Sequence, residues 1–424
     1  MSARAVHRRS GHLTTSLRVA LDGSSIHGRM TGVGRYTAEL ARHGAGAGVD
    51  YVVLTNRHDT GRLVASGGQD TPAVSRAWLR PTLAWLQLMA PVGLRRLRCR
   101  IGHFTTGRRP LLDKVPAVVT VHDVTVISNP GLYHRREQLL TAPWLRRSIA
   151  GAAAVIVVSK DTRRELLRLF PAGIGGPVHV IPEAPGDAFR APVSPGGTAA
   201  ARARHDLGPR YWLSLGAITP RKNPLRLVTA FAVARLRVGT PPPRLVVAGP
   251  GGPLQGDLDL QIRRLGLDDA VRLVGWVPGS ELPALMAGAE LLACPSLHEG
   301  FGLPVVEALA VGTPVVASVR GALPEVAGDA AVYVDPMSTT DIVRGLETVG
   351  ASSMLQRRLA DQGRRRAQRW SWAATAAATA EVYRSVISSD WPLPGAATEM
   401  KAASPPTSTT ASPWTTGGRS TRQH

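Results

Sequence analysis

Two doubly wound α/β domains facing one another across a cleft are the fold this sequence predicts, and three observations carry the prediction. Short runs rich in β-branched residues recur along the 424-residue chain, most of them continuous in apolar residues instead of alternating. Helix-like segments of about a dozen residues or more separate them, the length a parallel crossover needs. The series breaks once, at a Pro-, Gly- and Ala-rich stretch near Ala191 to Ala203, which leaves two halves of similar grammar. Continuous apolar strands are expected where helices cover both faces of a parallel sheet. A chain of this length with 44% hydrophobic residues can fill two such cores.

Residues 1–15 carry charge but no apolar run, so they read as a disordered lead-in and not as a secretory signal. The first domain, assigned to residues 16–195, offers RVALDG (Arg18 to Gly23), YVVLTN (Tyr51 to Asn56), AVVTVHDV (Ala117 to Val124), AVIVVS (Ala154 to Ser159) and VHVIPE (Val178 to Glu183). The second, assigned to 205–370, offers YWLSLGA, RLVVAGP, VRLVGWV, LLACPS, TPVVAS and AVYVDP. RWSWAATAAATAEVYRSVI then supplies a terminal helix, assigned to 371–390, and residues 391–424 are rich in Ser, Thr, Pro and Gly, a composition expected of a disordered tail.

Cys99 and Cys294 stand far apart, with neither disulfide framework nor zinc spacing, and a reducing cytoplasm fits them. The formal net charge is +21, which raises the question of a polyanionic partner, nucleic acid or anionic lipid. From Pro81 to Ala150 eleven Lys/Arg face three acids, and this excess follows the apolar segment PTLAWLQLMAPVGL. That segment is too short and too proline-interrupted to span a bilayer. It could lie in the interface beside anionic headgroups, or be a buried helix followed by a solvated basic face.

Open α/β sheets bind ligands beyond the carboxyl ends of their strands, where strand order reverses. The unusual residues follow strands: Gly32 and Gly34 after the first, His122 and Asp123 after the third, Arg221 and Lys222 after YWLSLGA, Glu299 after LLACPS. In LHEGFGLPVVEALAVGTPVVAS (Leu297 to Ser318), Pro304 suits the first turn of a helix. Gly302 and Leu303 then lie at its N-terminal edge, where free N–H groups and the helix dipole favour an anion. Gly300 and Gly302 leave room for a phosphate beside Phe301 and the backbone. Glu299 and Glu307 flank this pocket and can accept from hydroxyls, so a diphosphate between two polyols meets every demand. Taken singly, each glutamate also reads as an ordinary helix-start or solvated acid.

The whole string resembles the E-x7-E segment of the retaining family 4, or group 1, glycosyltransferases, whose GT-B architecture sets two Rossmann-like domains face to face. The proline-serine lead, both acids, the Gly-Phe-Gly-Leu-Pro turn and the GTPVVAS strand recur in order, and the resemblance covers roughly Leu17 to Ile387. It implies that Glu299 contacts the donor sugar and Glu307 the donor ribose. LGAITPRKNP is similar to the family's Arg-Lys segment, where Arg221 and Lys222 would neutralise the donor diphosphate and the charge growing on it as the sugar leaves. MTGVGRYTAEL resembles the glycine loop, with Gly32 and Gly34 meeting phosphate or acceptor, and VHDVTVISNP would supply a sugar-binding His122. Glu325, in GALPEVAGDAAVYVDP, is expected to orient second-domain loops, and the terminal helix to return toward the first domain.

IPEAPGDAF departs from the more usual Asn-Gly pair, carrying Glu183 and Ala184 there, which puts acceptor-side detail in question. The expected reaction is transfer of a hexose, with GDP-mannose the leading donor, to a saccharide or lipid-linked acceptor with retention. No separate cofactor and no metal are called for, and Asp257 and Asp259 read as helix-start acids. The expected location is the cytoplasm, with the basic first domain as a candidate for peripheral contact at the inner face of the membrane. Two other classes compete with this reading. A nucleic-acid-binding protein would explain the charge but shows no recognition signature. A nicotinamide-dependent oxidoreductase would want a third fingerprint glycine where Thr37 stands.

Overall fold

The computed structural model describes residues 16–60, 73–76, 79 and 82–388. The segments expected to be disordered, 1–15 and 391–424, lie outside them. The first domain holds β1 (Leu17–Asp22), β2 (Val49–Thr55), β3 (Ala73–Arg76), β4 (Ile101–Phe104), β5 (Ala117–Val121), β6 (Ala154–Val157) and β7 (Val178–Val180). The second holds β8 (Tyr211–Leu215), β9 (Arg244–Ala248), β10 (Val271–Gly275), β11 (Leu291–Cys294), β12 (Val315–Ser318) and β13 (Ala331–Val334). Every recorded pairing is parallel, including β1 with β2 and β4, and β8 with β9 and β11. The strand orders are β3-β2-β1-β4-β5-β6-β7 and β10-β9-β8-β11-β12-β13. Both reverse direction beside their first strand, at β1/β4 and β8/β11, and that switch point is where such sheets leave a crevice for ligand.

The physical cause is visible in burial. Val118, Val155, Ile156, Leu213 and Val246 are completely buried, as strands covered on both faces require. All eleven expected strands are present, and the sequence reading missed β3 and β4. β3 is a four-residue edge strand with exposed ends, and β4 is the short run IGHF, interrupted by Gly102 and His103.

One expectation changes and one open choice is decided. The linker-like stretch contains a helix, Pro195–His205, started by Pro195 and capped by the Ser194 hydroxyl, which accepts from the Gly197 N–H at 3.1 Å. It packs on the Leu282–Ala287 helix of the second domain. Of the two readings of PTLAWLQLMAPVGL, the buried helix followed by a solvated basic end fits: in the helix Thr82–Arg96, Trp85, Leu86, Ala90, Pro91 and Leu94 are buried in the first domain, while Leu88, Arg95 and Arg96 are exposed. Among the described residues no helix is long and apolar enough to cross a membrane. Cys99 and Cys294 are both free and buried.

The helix Trp372–Ser388 runs back onto the first domain. Its Tyr383 hydroxyl meets the Tyr51 hydroxyl at 2.8 Å and His103 Nδ1 at 2.6 Å, and Thr375 Oγ1 donates to the Pro182 carbonyl at 2.8 Å. Trp372 lies edge-on to Tyr36 at 5.8 Å.

Candidate active site

A cavity of about 420 Å³ opens between the domains, lined from the first by Gly32, Arg35, His122 and Glu183 and from the second by Arg221, Lys222, Glu299 and Leu303. Its charged wall begins at β8. After that strand Pro220–Lys222 forms one tight turn, ended by Asn223 in the left-handed region at φ 59°. The Asn223 amide donates to the carbonyls of Pro295, 3.1 Å, and Pro336, 2.7 Å, pinning the turn to the segments after β11 and β13. Lys222 folds back over Gly216, where φ is 138° and a Cβ would lie 2.6 Å from Lys222 Cε. Only glycine fits there.

Both cations converge on one carboxylate. Arg221 Nη1 meets Glu299 Oε2 at 2.6 Å and also donates to the His298 carbonyl at 3.0 Å, while Lys222 Nζ meets Glu299 Oε1 at 2.7 Å. Burial alone would raise the Glu299 carboxyl, but the charges of Arg221 and Lys222 outweigh it and hold the group far below the usual carboxylate range. Burial would likewise lower the Arg221 guanidinium, and Glu299 and Asp123 reverse that, so its charge is secure. The triad carries a net single positive charge, held in place by a buried anion.

Glu307 sits differently from expectation. It lies in the helix Leu303–Val311, only 2% exposed, and Arg35 of the first domain covers it, with Arg35 Nη1 at 2.5 Å from Glu307 Oε1. Glu307 Oε2 is buried without a hydrogen-bond partner among the described residues. Burial raises this carboxyl to about 7, against the opposing pull of Arg35. Its route to a ligand therefore runs past Arg35.

His122 follows β5 and is engaged at both ring nitrogens: Nδ1 faces Glu183 Oε1 at 2.8 Å and Nε2 faces the Thr105 carbonyl at 3.1 Å. A carbonyl only accepts, so Nε2 is the donor in that contact and Nδ1 is turned to the Glu183 carboxylate. Thr105 is held by Thr37, hydroxyl to hydroxyl at 2.7 Å, so the residue at the third-glycine position belongs to the network that orients the histidine. Tyr36 supports the ring edge-on at 4.9 Å.

The glycines divide. Gly32 lines the cavity, and a Cβ on it would make ordinary contact with Leu303 across the cleft at 3.5 Å. Gly34 turns away from the cavity: a Cβ there would stand 2.5 Å from the Ser25 carbonyl, so it is a packing glycine of the first domain. Gly300 is required by the other domain, since a Cβ on it would lie 1.8 Å from the His122 carbonyl. Gly302 starts its helix at φ 99°. Phe301 and Leu303 reach the cavity while mostly buried, Phe301 edge-on to Trp370 at 6.2 Å. The sequence reading missed Arg35 as a site residue and gave Glu183 no role; its departure from the Asn-Gly pattern was the one signal for the latter. Asp257 falls in the first turn of the helix Gln255–Arg264, and the Asp259 carboxylate accepts from Gln255 at 3.2 Å, both as structural acids.

Comparison with known proteins agrees with this geometry. The model for glycosyl transferases group 1 matches residues 198–366, and that for glycosyltransferase family 4 matches residues 30–184. The chain is 42% identical over 179 residues to the MMP alpha-(1->4)-mannosyltransferase of Mycolicibacterium hassiacum, covering 40% of this chain and 43% of that one. It is 32% identical over 302 residues to the D-inositol 3-phosphate glycosyltransferase of Kineococcus radiotolerans, covering 64% and 67%. It thus spans between 43% and 67% of the length of these curated relatives. Among solved structures, Anabaena HepE in complex with UDP and glucose superposes with TM-score 0.69 at 21% identity, covering 87% of this chain and 100% of that one, a likeness of fold. Two matched family models meeting at one cleft, a relative followed over two thirds of its length and the paired Rossmann-like sheets lead to one conclusion: the chain belongs to the group 1 glycosyltransferases of family 4, with the GT-B architecture.

Proposed function

We propose that this protein transfers a hexose, mannose first among candidates, from a nucleoside diphosphate sugar to a saccharide or lipid-linked acceptor with retention at the anomeric carbon. The observation that carries the proposal is the convergence of Arg221 and Lys222 on Glu299 at the cavity wall. A diphosphate arriving there meets two cations already oriented, beside the N-terminal edge of the Leu303–Val311 helix, whose dipole adds to the attraction. As the bond from the sugar's anomeric carbon to the diphosphate breaks, the electron pair stays on the leaving oxygen, where fixed cations stabilise the transition state more than the ground state. The acceptor oxygen forms the new bond to that carbon and its proton passes to the diphosphate. In a front-face reaction of this kind no enzymic nucleophile is needed. His122 would hold the reacting sugar, and Glu307 Oε2 would take a ribose hydroxyl once Arg35 shifts.

Mannose is favoured by the Mycolicibacterium relative, a mannosyltransferase, and a nucleotide sugar by the family and by the charge balance of the wall. The acceptor side belongs to the first domain, which exposes Leu88, Leu112, Leu139 and Leu140 among its arginines. That mixture suits contact with an anionic membrane carrying a lipid-linked acceptor. Nucleotide release from a panel of GDP-, UDP-, ADP- and dTDP-sugars, with lipid and glycan extracts as acceptor, tests the proposal. Release from one donor, lost in Lys222→Ala, is expected; no release from any donor would overturn it.

A further inference from the structure

We propose that Asp161, Glu165 and His298 form a divalent-cation site, of the kind that takes zinc, which joins the two domains. Asp161 and Glu165 stand one turn apart on the helix Lys160–Leu169 of the first domain, and His298 comes from the loop after β11 in the second. One ligand atom from each lies within 4.8 Å of the other two. Asp161 Oδ2, Glu165 Oε2 and His298 Nε2 are all buried, and none has a hydrogen-bond partner among the described residues. Asp161 is 8% exposed and His298 6%.

Buried polar atoms are normally paired, and three left over at one point need a common explanation. An ordinary ion pair does not supply it. His298 Nε2 lies 3.5 Å from Glu165 Oε2, beyond hydrogen-bond length, and one imidazole proton cannot serve two carboxylate oxygens. The other Asp161 oxygen is taken by Arg164, whose side chain is largely solvent-exposed. A divalent ion satisfies all three atoms together and balances both carboxylates. One imidazole and two carboxylates are a donor set zinc accepts, at about 2.0–2.2 Å from each ligand, with water completing the shell. Tetrahedral ligands on such an ion stand roughly 3.3–3.6 Å apart, so these side chains close in by about an ångström or less.

The surroundings already join the domains at this turn. The Glu325 carboxylate accepts from the Lys160 N–H at 3.0 Å and the Asp161 N–H at 3.3 Å, and Thr162 Oγ1 donates to the Gly300 carbonyl at 3.1 Å. His298 precedes Glu299, and its carbonyl holds Arg221. An ion bound here engages its full ligand set only when the domains meet, so it favours the closed arrangement by its differential affinity. The inference concerns binding and closure and stands independently of which sugar is transferred.

The test uses the full chain, stripped with a chelator and titrated with Zn²⁺ by calorimetry, beside Glu165→Gln, His298→Gln and Asp161→Asn. The chain has 12 histidines, so the informative quantity is the difference between wild type and variants. One equivalent bound at least about tenfold more tightly by wild type than by any folded variant is expected. Hydrogen exchange supplies the second measurement: zinc should slow exchange in residues 158–166 and 296–301 together, in wild type alone. Glu165 lies on a partly exposed helix face, so Glu165→Gln keeps the test decisive should another variant fail to fold. Equal zinc affinity in wild type and Glu165→Gln, or protection confined to one of the two segments, would overturn the proposal.

Discussion

The two sheets share a strand order, yet the walls they give the cleft are unlike. The second domain's wall is ionic, with two cations fixed on a buried carboxylate. The first domain's wall is a hydrogen-bonded chain running from Thr37 through Thr105 to His122 and on to Glu183. Orienting fixed charge needs a rigid counter-charge, which Glu299 supplies. Orienting an imidazole needs only that both ring nitrogens be engaged. The difference suits a ligand charged at one end and rich in hydroxyls at the other, with the Arg35–Glu307 pair as the ionic contact between walls.

The largest effect should come from the ionic wall. Lys222→Met removes one of two cations from the leaving diphosphate, and turnover at saturating donor is expected to fall about 10²–10³-fold, as for loss of one transition-state contact. Arg221 still neutralises Glu299, so the protein should remain folded by circular dichroism. A loss below tenfold would break the assignment of that wall to the diphosphate.

The contact between walls gives a pH effect. The Glu307 carboxyl is raised from an ordinary 4.5 to about 7 in the folded protein. The folded state therefore binds the proton more tightly than the unfolded one. Its contribution to stability is fully present below about pH 4.5 and is lost as pH rises through about 7, a change of about 3 kcal/mol. Glu307→Gln cannot titrate. The stability of wild type relative to Glu307→Gln, from denaturant unfolding, should fall across pH 5 to 7 and level off above. A constant difference would mean that Arg35 keeps Glu307 ionised throughout.

The smallest effect should come from the hydrogen-bonded wall. Glu183→Gln weakens a contact to His122 that is worth about 1.5–3 kcal/mol when one partner is charged. Turnover is expected to fall roughly ten- to a hundredfold while affinity for free nucleoside diphosphate stays unchanged, because Glu183 stands on the other wall from Arg221 and Lys222. A matching loss of nucleotide affinity would erase the distinction between the walls.

How much of this was legible follows from what each feature depends on. The six strands of the second domain stood out because buried parallel strands are written as continuous apolar runs. β3 and β4 did not, because Ser75 and Arg76 in the one and Gly102 and His103 in the other interrupt the apolar run. Arg221, Lys222 and Glu299 were legible because each follows a strand that ends at the cleft. Arg35 was not, since its partner lies 272 residues away on the facing domain and only the packing of the two sheets joins them. Gly300 was marked as a position that needs glycine, but the sequence could not show the close neighbour that demands it, the His122 carbonyl on the facing domain.

The most direct test is a calorimetric comparison of nucleoside diphosphate with the matching monophosphate, on wild type and Lys222→Met. If the ionic wall reads the diphosphate, wild type binds the diphosphate at least about tenfold more tightly, an advantage of about 1.4 kcal/mol, and the variant loses most of that margin. Equal affinity for the two nucleotides on wild type, or a margin untouched in the variant, would contradict the account.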